Sequence, residues 1–316
     1  MSTASQRLQA APGAQAVLRA HGRSFYFASH FLGQRHGSRA ARLYAFCRYV
    51  DDAADEAASK DAAQSALDAL EAQLYGRCDA GLRAGDFLSL AGETGMDLRL
   101  ALALIQGVRN DLDPVAFRSE RDLLRYAYHV AGVVGLMMCA VLDVDDPSAA
   151  PFAIDLGIAM QLTNIARDVG EDAAMDRRYL PSEWVGELAP NRILKPDIDS
   201  AERLRAGVKY LLERADAYYE SGEAGLAYLP ERARLAILVA ARVYRNIGPA
   251  ARRLGHETWR ARAMVSGPRK TLIAASAIRD FALSRRLHRR TASHDSRLHA
   301  GFEGLPSTNP PRKKAT

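Results

Sequence analysis

Cysteine is scarce in this chain: Cys47, Cys78 and Cys139 are three among 316 residues, and none belongs to a C-x-x-C pair. The odd count and the spacing argue against a disulfide scaffold or a thiolate zinc site, and they fit a reducing compartment. Neither G-x-G-x-x-G nor G-x-x-x-x-G-K-[ST] occurs, which argues against a nucleotide-binding loop. No Glu is followed three residues later by His, so the ligand pattern of di-iron carboxylate bundles is missing. The longest strongly apolar run, Val130–Leu142, has thirteen residues and is too short to span a bilayer. The N-terminus has no continuous apolar stretch of the secretory kind. Residues 1–50 contain no acid and seven Arg, but the aromatic and apolar content from Phe25 onward reads as folded protein.

The chain has 48% hydrophobic and 25% charged residues, as an ordinary soluble globular domain does. The net charge is +6. Residues 285–316 hold eight Arg or Lys against Asp295 and Glu303, so this end carries the whole excess and the body is neutral. With Pro306, Pro310 and Pro311 nearby, 286–316 is expected to be a basic, disordered tail rather than a nucleic-acid surface. Residues 1–20 are expected to be an N-terminal segment and 21–285 the folded domain.

Long segments follow helical rather than alternating periodicity. Helices are expected near 12–32 (broken at Gly22), 38–58, 61–82, 97–111, 120–142, 149–172, 200–226, 231–254 and 269–288. No strand series is apparent. The reading is a single all-α domain.

Two of these helices carry acid where core residues should be. In Leu43–Asp55, a turn of ~100° per residue gathers Leu43, Phe46, Cys47, Val50 and Ala54 into an apolar stripe. Tyr44, Arg48, Asp51 and Asp55 form a second stripe beside it. In Gln161–Asp172, the residues Gln161, Asn164, Asp168 and Asp172 share a face, and Phe152–Met160 before them is mostly apolar. Carboxylates on a buried helix are costly unless paired, and like charges four apart repel. A hard cation with oxygen ligands and substrate phosphates resolves both costs. A lone D-x-x-x-D is a weak signal, since acids four apart are common on solvated faces; two such pairs in apolar helices are a stronger one. The remaining polar residues have plainer readings. Asp111 and Asp113 read as a helix terminus, and Asp143, Asp145 and Asp146 as a solvated turn. His21 and His129 read as structural histidines, and Tyr128 as core packing.

Several segments, in order, resemble the squalene/phytoene synthase family: His21–Tyr26, Tyr44–Asp55, Tyr126–Gly135, Gln161–Asp172, Arg178–Pro181 and Val265–Lys270. The resemblance runs from about residue 21 to 285. It implies an isoprenoid synthase helical bundle with a central cavity, and an enzyme joining two prenyl diphosphates through their C1 ends. Asp51, Asp55, Asp168 and Asp172, with Asn164, would then hold Mg²⁺ or Mn²⁺. The catalytic set would add Arg48 and Tyr44. Ser24, Gln161, Arg167 and Tyr179 match positions around the diphosphates. Phe25, Tyr126 and Tyr244 match the cavity lining, and Arg262 and Lys270 are weaker phosphate candidates. The implied substrates are two geranylgeranyl diphosphates, joined through a cyclopropylcarbinyl diphosphate to phytoene without a nicotinamide cofactor. The alternative is farnesyl diphosphate, giving squalene or dehydrosqualene. A catalytically dead relative is disfavoured by the four intact aspartates. The expected location is cytoplasmic, with peripheral contact at the inner membrane surface and hand-over of product to a desaturase.

Overall fold

The computed structural model describes residues 13–290 and 292–310. Among them the only β pairing is an isolated parallel bridge between Ala116 and Arg178. The helices in chain order are α1 (Ala14–His21), α2 (Arg23–Ser29), α3 (Gln34–Asp55), α4 (Lys60–Leu74), α5 (Leu82–Thr94), α6 (Leu98–Arg109), α7 (Glu120–Ala127) and α8 (Val133–Val141). They continue as α9 (Ala150–Ala174), α10 (Ser182–Val185), α11 (Pro190–Leu194), α12 (Ile198–Ala224), α13 (Glu231–Arg245), α14 (Ile247–Arg253) and α15 (Gly267–Leu283).

Helix starts follow local chemistry. Ser59 accepts from Ala62 N at the start of α4, and Ser119 and Asp122 form a capping box at α7. The expected helix over 61–82 ends at Leu74, where Gly76 takes a positive φ of 68°, and a separate helix, α5, runs from Leu82 to Thr94. Gly95, in the left-handed conformation, closes α5. Phe87 of α5 stacks on Phe46 of α3 at 3.7 Å, and both are buried. This contact explains why a segment without a clean periodic signal is helical: it covers the back of the first aspartate helix.

Helix α9 is central and packs against α8, α11, α12, α13 and α14. Between α7 and α8 a π turn, Tyr128–Gly132, widens the helix. Two glycines let these backbones meet. A Cβ on Gly135 would lie 2.1 Å from the Ala153 carbonyl oxygen, and one on Gly157 would lie 2.2 Å from that of Ala131. Stretches 120–141 and 147–174 are long and apolar enough to cross a membrane, but they are inner helices of this bundle.

Both expected chain ends need correction. The bundle begins before residue 21, since α1 packs on α3 and Leu18 is buried. The expected disordered tail does not hold for 292–310: His299 and Phe302 are fully buried there. The remaining residues of both terminal segments, 1–12, Thr291 and 311–316, lie outside the described residues.

Candidate active site

The first acid stripe lies on the last two turns of α3 and the second on the C-terminal half of α9. Around them the structure gathers arginines. Arg48 pairs with Asp52 at 2.5 Å. Arg167 grips its neighbour Asp168 through Nε at 2.8 Å and Nη2 at 2.5 Å. Arg262 reaches the same Asp168 at 2.9 Å and Glu171 at 3.1 Å. Gly170 makes that approach feasible, because a Cβ there would meet the Trp259 carbonyl oxygen at 2.6 Å. Arg177 donates to Asp55 at 2.9 Å.

Among the described residues, two of the four motif carboxylates have no such partner. Asp51 keeps some open surface yet is enclosed by protein, and burial pushes its carboxyl up to about 7, with Asp55, Asp52 and Asp111 adding to the rise and Arg48 opposing it. Burial pushes Asp172 up to about 8, with Asp168 adding to it and Arg177 opposing. Both are clustered, underneutralised oxygen ligands on facing elements. That donor set fits a hard divalent cation and suits a soft or redox metal less well. Asn164 lies on the same face of α9 and accepts a 3.0 Å bond from Tyr244 while donating to Gln161 at 3.3 Å.

Beside the acids is an aromatic wall. Phe25 stacks on Tyr244 at 5.1 Å and tilts against Tyr44 at 6.1 Å. Gly22 is required here, since a Cβ would sit 2.9 Å from the Tyr44 ring. Burial pushes the Tyr44 hydroxyl up to about 12, so it stays protonated. Ser24 lies half-buried in the first turn of α2.

The second aromatic group holds what sequence reading missed. Tyr126 stacks on Tyr179 at 5.2 Å, and its hydroxyl donates to Asp111 at 2.7 Å. Asp111 does end a helix, as expected, but it also faces the site. Burial pushes it up to about 6, and it senses the charges of Arg177 and Asp55. Arg177 in turn senses Tyr179, Asp55 and Asp111, so these two residues join the aspartate helices. The buried Arg178 fixes this loop by donating to the Phe117 and Leu180 carbonyls at 3.2 and 2.9 Å. Neither Asp111 nor Arg177 stands in a spacing that marks it; only the fold brings them to the motifs. Lys270, by contrast, lies in the first turn of α15 near Arg23, and no carboxylate of the site pairs with it.

Comparison with known proteins agrees with this geometry. The profile described as squalene/phytoene synthase matches residues 18–269. A 15-cis-phytoene synthase of Enterobacter agglomerans is 36% identical over 268 residues, covering 80% of this chain and 90% of its own. A phytoene synthase of Pseudescherichia vulneris is 37% identical over 251 residues, covering 74% and 80%. Among solved structures, a dehydrosqualene synthase bound to a ligand superposes with a TM-score of 0.75 at 29% identity, covering 85% of this chain and 95% of that one. A squalene synthase from Alicyclobacillus acidocaldarius shares the fold with a TM-score of 0.67 at 22% identity, over 77% and 93%. With two facing aspartate helices, an arginine collar and a profile match over most of its length, the chain belongs to the squalene/phytoene synthase family.

Proposed function

We propose that this enzyme is a phytoene synthase, a prenyltransferase that joins two geranylgeranyl diphosphates head to head. The observation that carries the chemistry is the convergence of Asp51, Asp55, Asp168 and Asp172 with four arginines at one end of an aromatic wall. The choice of twenty-carbon substrates is supported by relatives named phytoene synthase at 36–37% identity. The ligand-bound dehydrosqualene synthase, at 29%, supports farnesyl diphosphate as the second reading.

The residues divide the work by type. Asp51, Asp55, Asn164, Asp168 and Asp172 would hold the divalent cations, Mg²⁺ or Mn²⁺. When bound, such cations neutralise charge on the leaving diphosphate. Arg48, Arg167, Arg177 and Arg262 are planar bidentate donors suited to phosphate oxygens. Three of them now rest on Asp55 and Asp168. Moving onto diphosphate, they would release those carboxylates for metal. Ser24, Gln161 and Tyr179 complete the polar end. Phe25, Tyr44 and Tyr244 present ring faces that stabilise the allyl cation without capturing it, and they exclude water. Attack by the second double bond, with loss of a proton as the three-membered ring closes, gives the cyclopropylcarbinyl diphosphate and frees the first diphosphate. A second ionisation and loss of a proton then give phytoene, so no nicotinamide cofactor is required.

We further propose a cytoplasmic enzyme that touches the inner membrane face through α15. Leu272 and Leu283 are 64% and 76% exposed there, and Arg279 is on the same helix. An insoluble product handed to a membrane desaturase suits that location. Co-sedimentation with anionic vesicles, lost in Leu272→Glu/Leu283→Glu, tests it.

The function itself is tested by incubating the purified protein with geranylgeranyl diphosphate and Mg²⁺, without a nicotinamide cofactor, and separating the extracted lipid. Phytoene that disappears with EDTA supports the proposal. No product here, with a thirty-carbon product from farnesyl diphosphate, moves the enzyme to the second reading.

A further inference from the structure

Residues 292–310 lie beyond the family profile, which ends at residue 269, yet they are built into the bundle. At their centre is Asp155, fully buried on α9. It accepts from His299 Nε2 at 2.9 Å, His294 Nε2 at 2.9 Å and Ser221 Oγ at 2.5 Å. Two histidines and a carboxylate could suggest a metal site, but the outer hydrogen bonds speak against one. The backbone N–H of Asn309 donates to Nδ1 of His299 at 2.7 Å. That nitrogen must therefore be the acceptor, and the ring proton sits on Nε2, the atom a metal would need. His294 Nδ1 likewise faces the Asn309 side-chain amide at 3.2 Å. Every polar atom of the cluster is thus satisfied by protein alone.

The rest of the segment grips two further elements. Tyr218 and Ser221 are on α12, and the Tyr218 hydroxyl donates to Leu298 O at 2.7 Å. Tyr128 of the π turn donates to Pro306 O at 2.7 Å, and its ring lies against the fully buried Phe302 at 6.0 Å. Arg125 of α7 donates to Gly301 O at 2.7 Å. On α9, Asp155 precedes Asn164 by nine residues, which puts it ~180° around the helix, on the back of the metal-ligand stripe.

We infer that residues 292–310 form a latch that clamps α9, α12 and the α7–π turn from behind, and that Asp155, His294 and His299 are positioning residues for the carboxylates of α9 and for Tyr126. The latch holds the helix bearing Asp168 and Asp172 in register with the one bearing Tyr126. Its effect on catalysis rests on the metal-dependent reading above; its docking does not.

The test is His299→Ala in the full chain, with Tyr128→Phe as a milder variant that keeps the ring on Phe302. Hydrogen exchange is followed over 150–174 and 292–310, and the rate is measured against Mg²⁺ concentration. The latch predicts at least tenfold faster exchange of 292–310 in His299→Ala. It also predicts a kcat reduced more than threefold, a higher half-saturating Mg²⁺ concentration and partial rescue by excess Mg²⁺. A purely structural role would lower thermal stability without changing the Mg²⁺ requirement. If His299→Ala does not fold, Tyr128→Phe carries the same readouts in smaller measure. Unchanged exchange over 292–310 overturns the latch. Released exchange with wild-type kcat and Mg²⁺ requirement overturns the positioning role. Wild-type turnover that is indifferent to Mg²⁺ and EDTA would count against the metal reading instead, leaving the exchange result to judge the latch.

Discussion

Helix α9 carries buried carboxylate at both ends, and the two ends are solved in opposite ways. Asp155, near its start, is fully buried and accepts three hydrogen bonds from His294, His299 and Ser221. Asp172, near its end, has no cationic partner in contact among the described residues and is pushed up to about 8 by burial and by Asp168. A buried charge that the protein satisfies is architecture; a group of charges that it leaves underneutralised is prepared for something from outside. Arginine neutralises only part of that group: Arg177 pairs with Asp55, and Arg167 and Arg262 with Asp168.

The strongest break of this contrast is Asp51→Ala or Asp168→Ala. Each should lower turnover by about three orders of magnitude or more, as expected when an electrostatic centre of the transition state is removed. Circular dichroism should show the helical fold unchanged. Near-normal rates in both variants would remove the metal assignment.

Next in size is Asp155→Ala, which strands two histidines and a serine in the interior. Breaking a buried charged network costs about 3–5 kcal/mol, so the denaturant midpoint should fall steeply. A loss near zero would mean that the latch contributes nothing to the fold.

Tyr126→Phe keeps the stack on Tyr179 and deletes the donor to Asp111. A lost hydrogen bond to a charged group is worth about 1.5–3 kcal/mol, and a tenfold or greater drop in kcat is expected if the pair orders the site. Steady-state kinetics on Tyr126→Phe and Asp111→Asn, singly and together, would show whether they act as one unit.

The smallest effect has the opposite sign. The carboxyl of Asp172 is raised in the fold, so the folded state binds the extra proton between the ordinary carboxylate range and about pH 8. The metal-free protein therefore loses stability as pH rises through this window. Asp172→Asn should melt higher than wild type at pH 8 without metal, by roughly 2–4 °C per kcal/mol recovered. At pH 4 the advantage should vanish. Lower melting of the variant at pH 8 would contradict the account of an underneutralised site.

The acid stripes were legible because period and composition conflict: Asp51, Asp55, Asp168 and Asp172 recur at helical spacing inside apolar helices. Phe25 and Tyr244 were indicated only through the family's register, and the structure stacks them. Asp111 and Arg177 were not legible, because each sits at a helix end or loop where a polar residue needs no explanation. The latch was misread for a related reason. Residues 286–316 are basic and Pro-containing, and nothing local reveals that His299 and Phe302 meet their partners from Asp155 and Tyr128, more than a hundred residues earlier. Helix α5 was missed because its helical state depends on the contact of Phe87 with Phe46.

The central claim is that the unpartnered acids bind metal while the partnered one does not. Electron paramagnetic resonance of Mn²⁺ titrated into the protein with inorganic diphosphate tests this directly. The account predicts immobilised Mn²⁺ in wild type and in Asp155→Asn, and its loss in Asp51→Asn and Asp172→Asn. Undiminished binding in the latter two, or binding abolished in a folded Asp155→Asn, would contradict it.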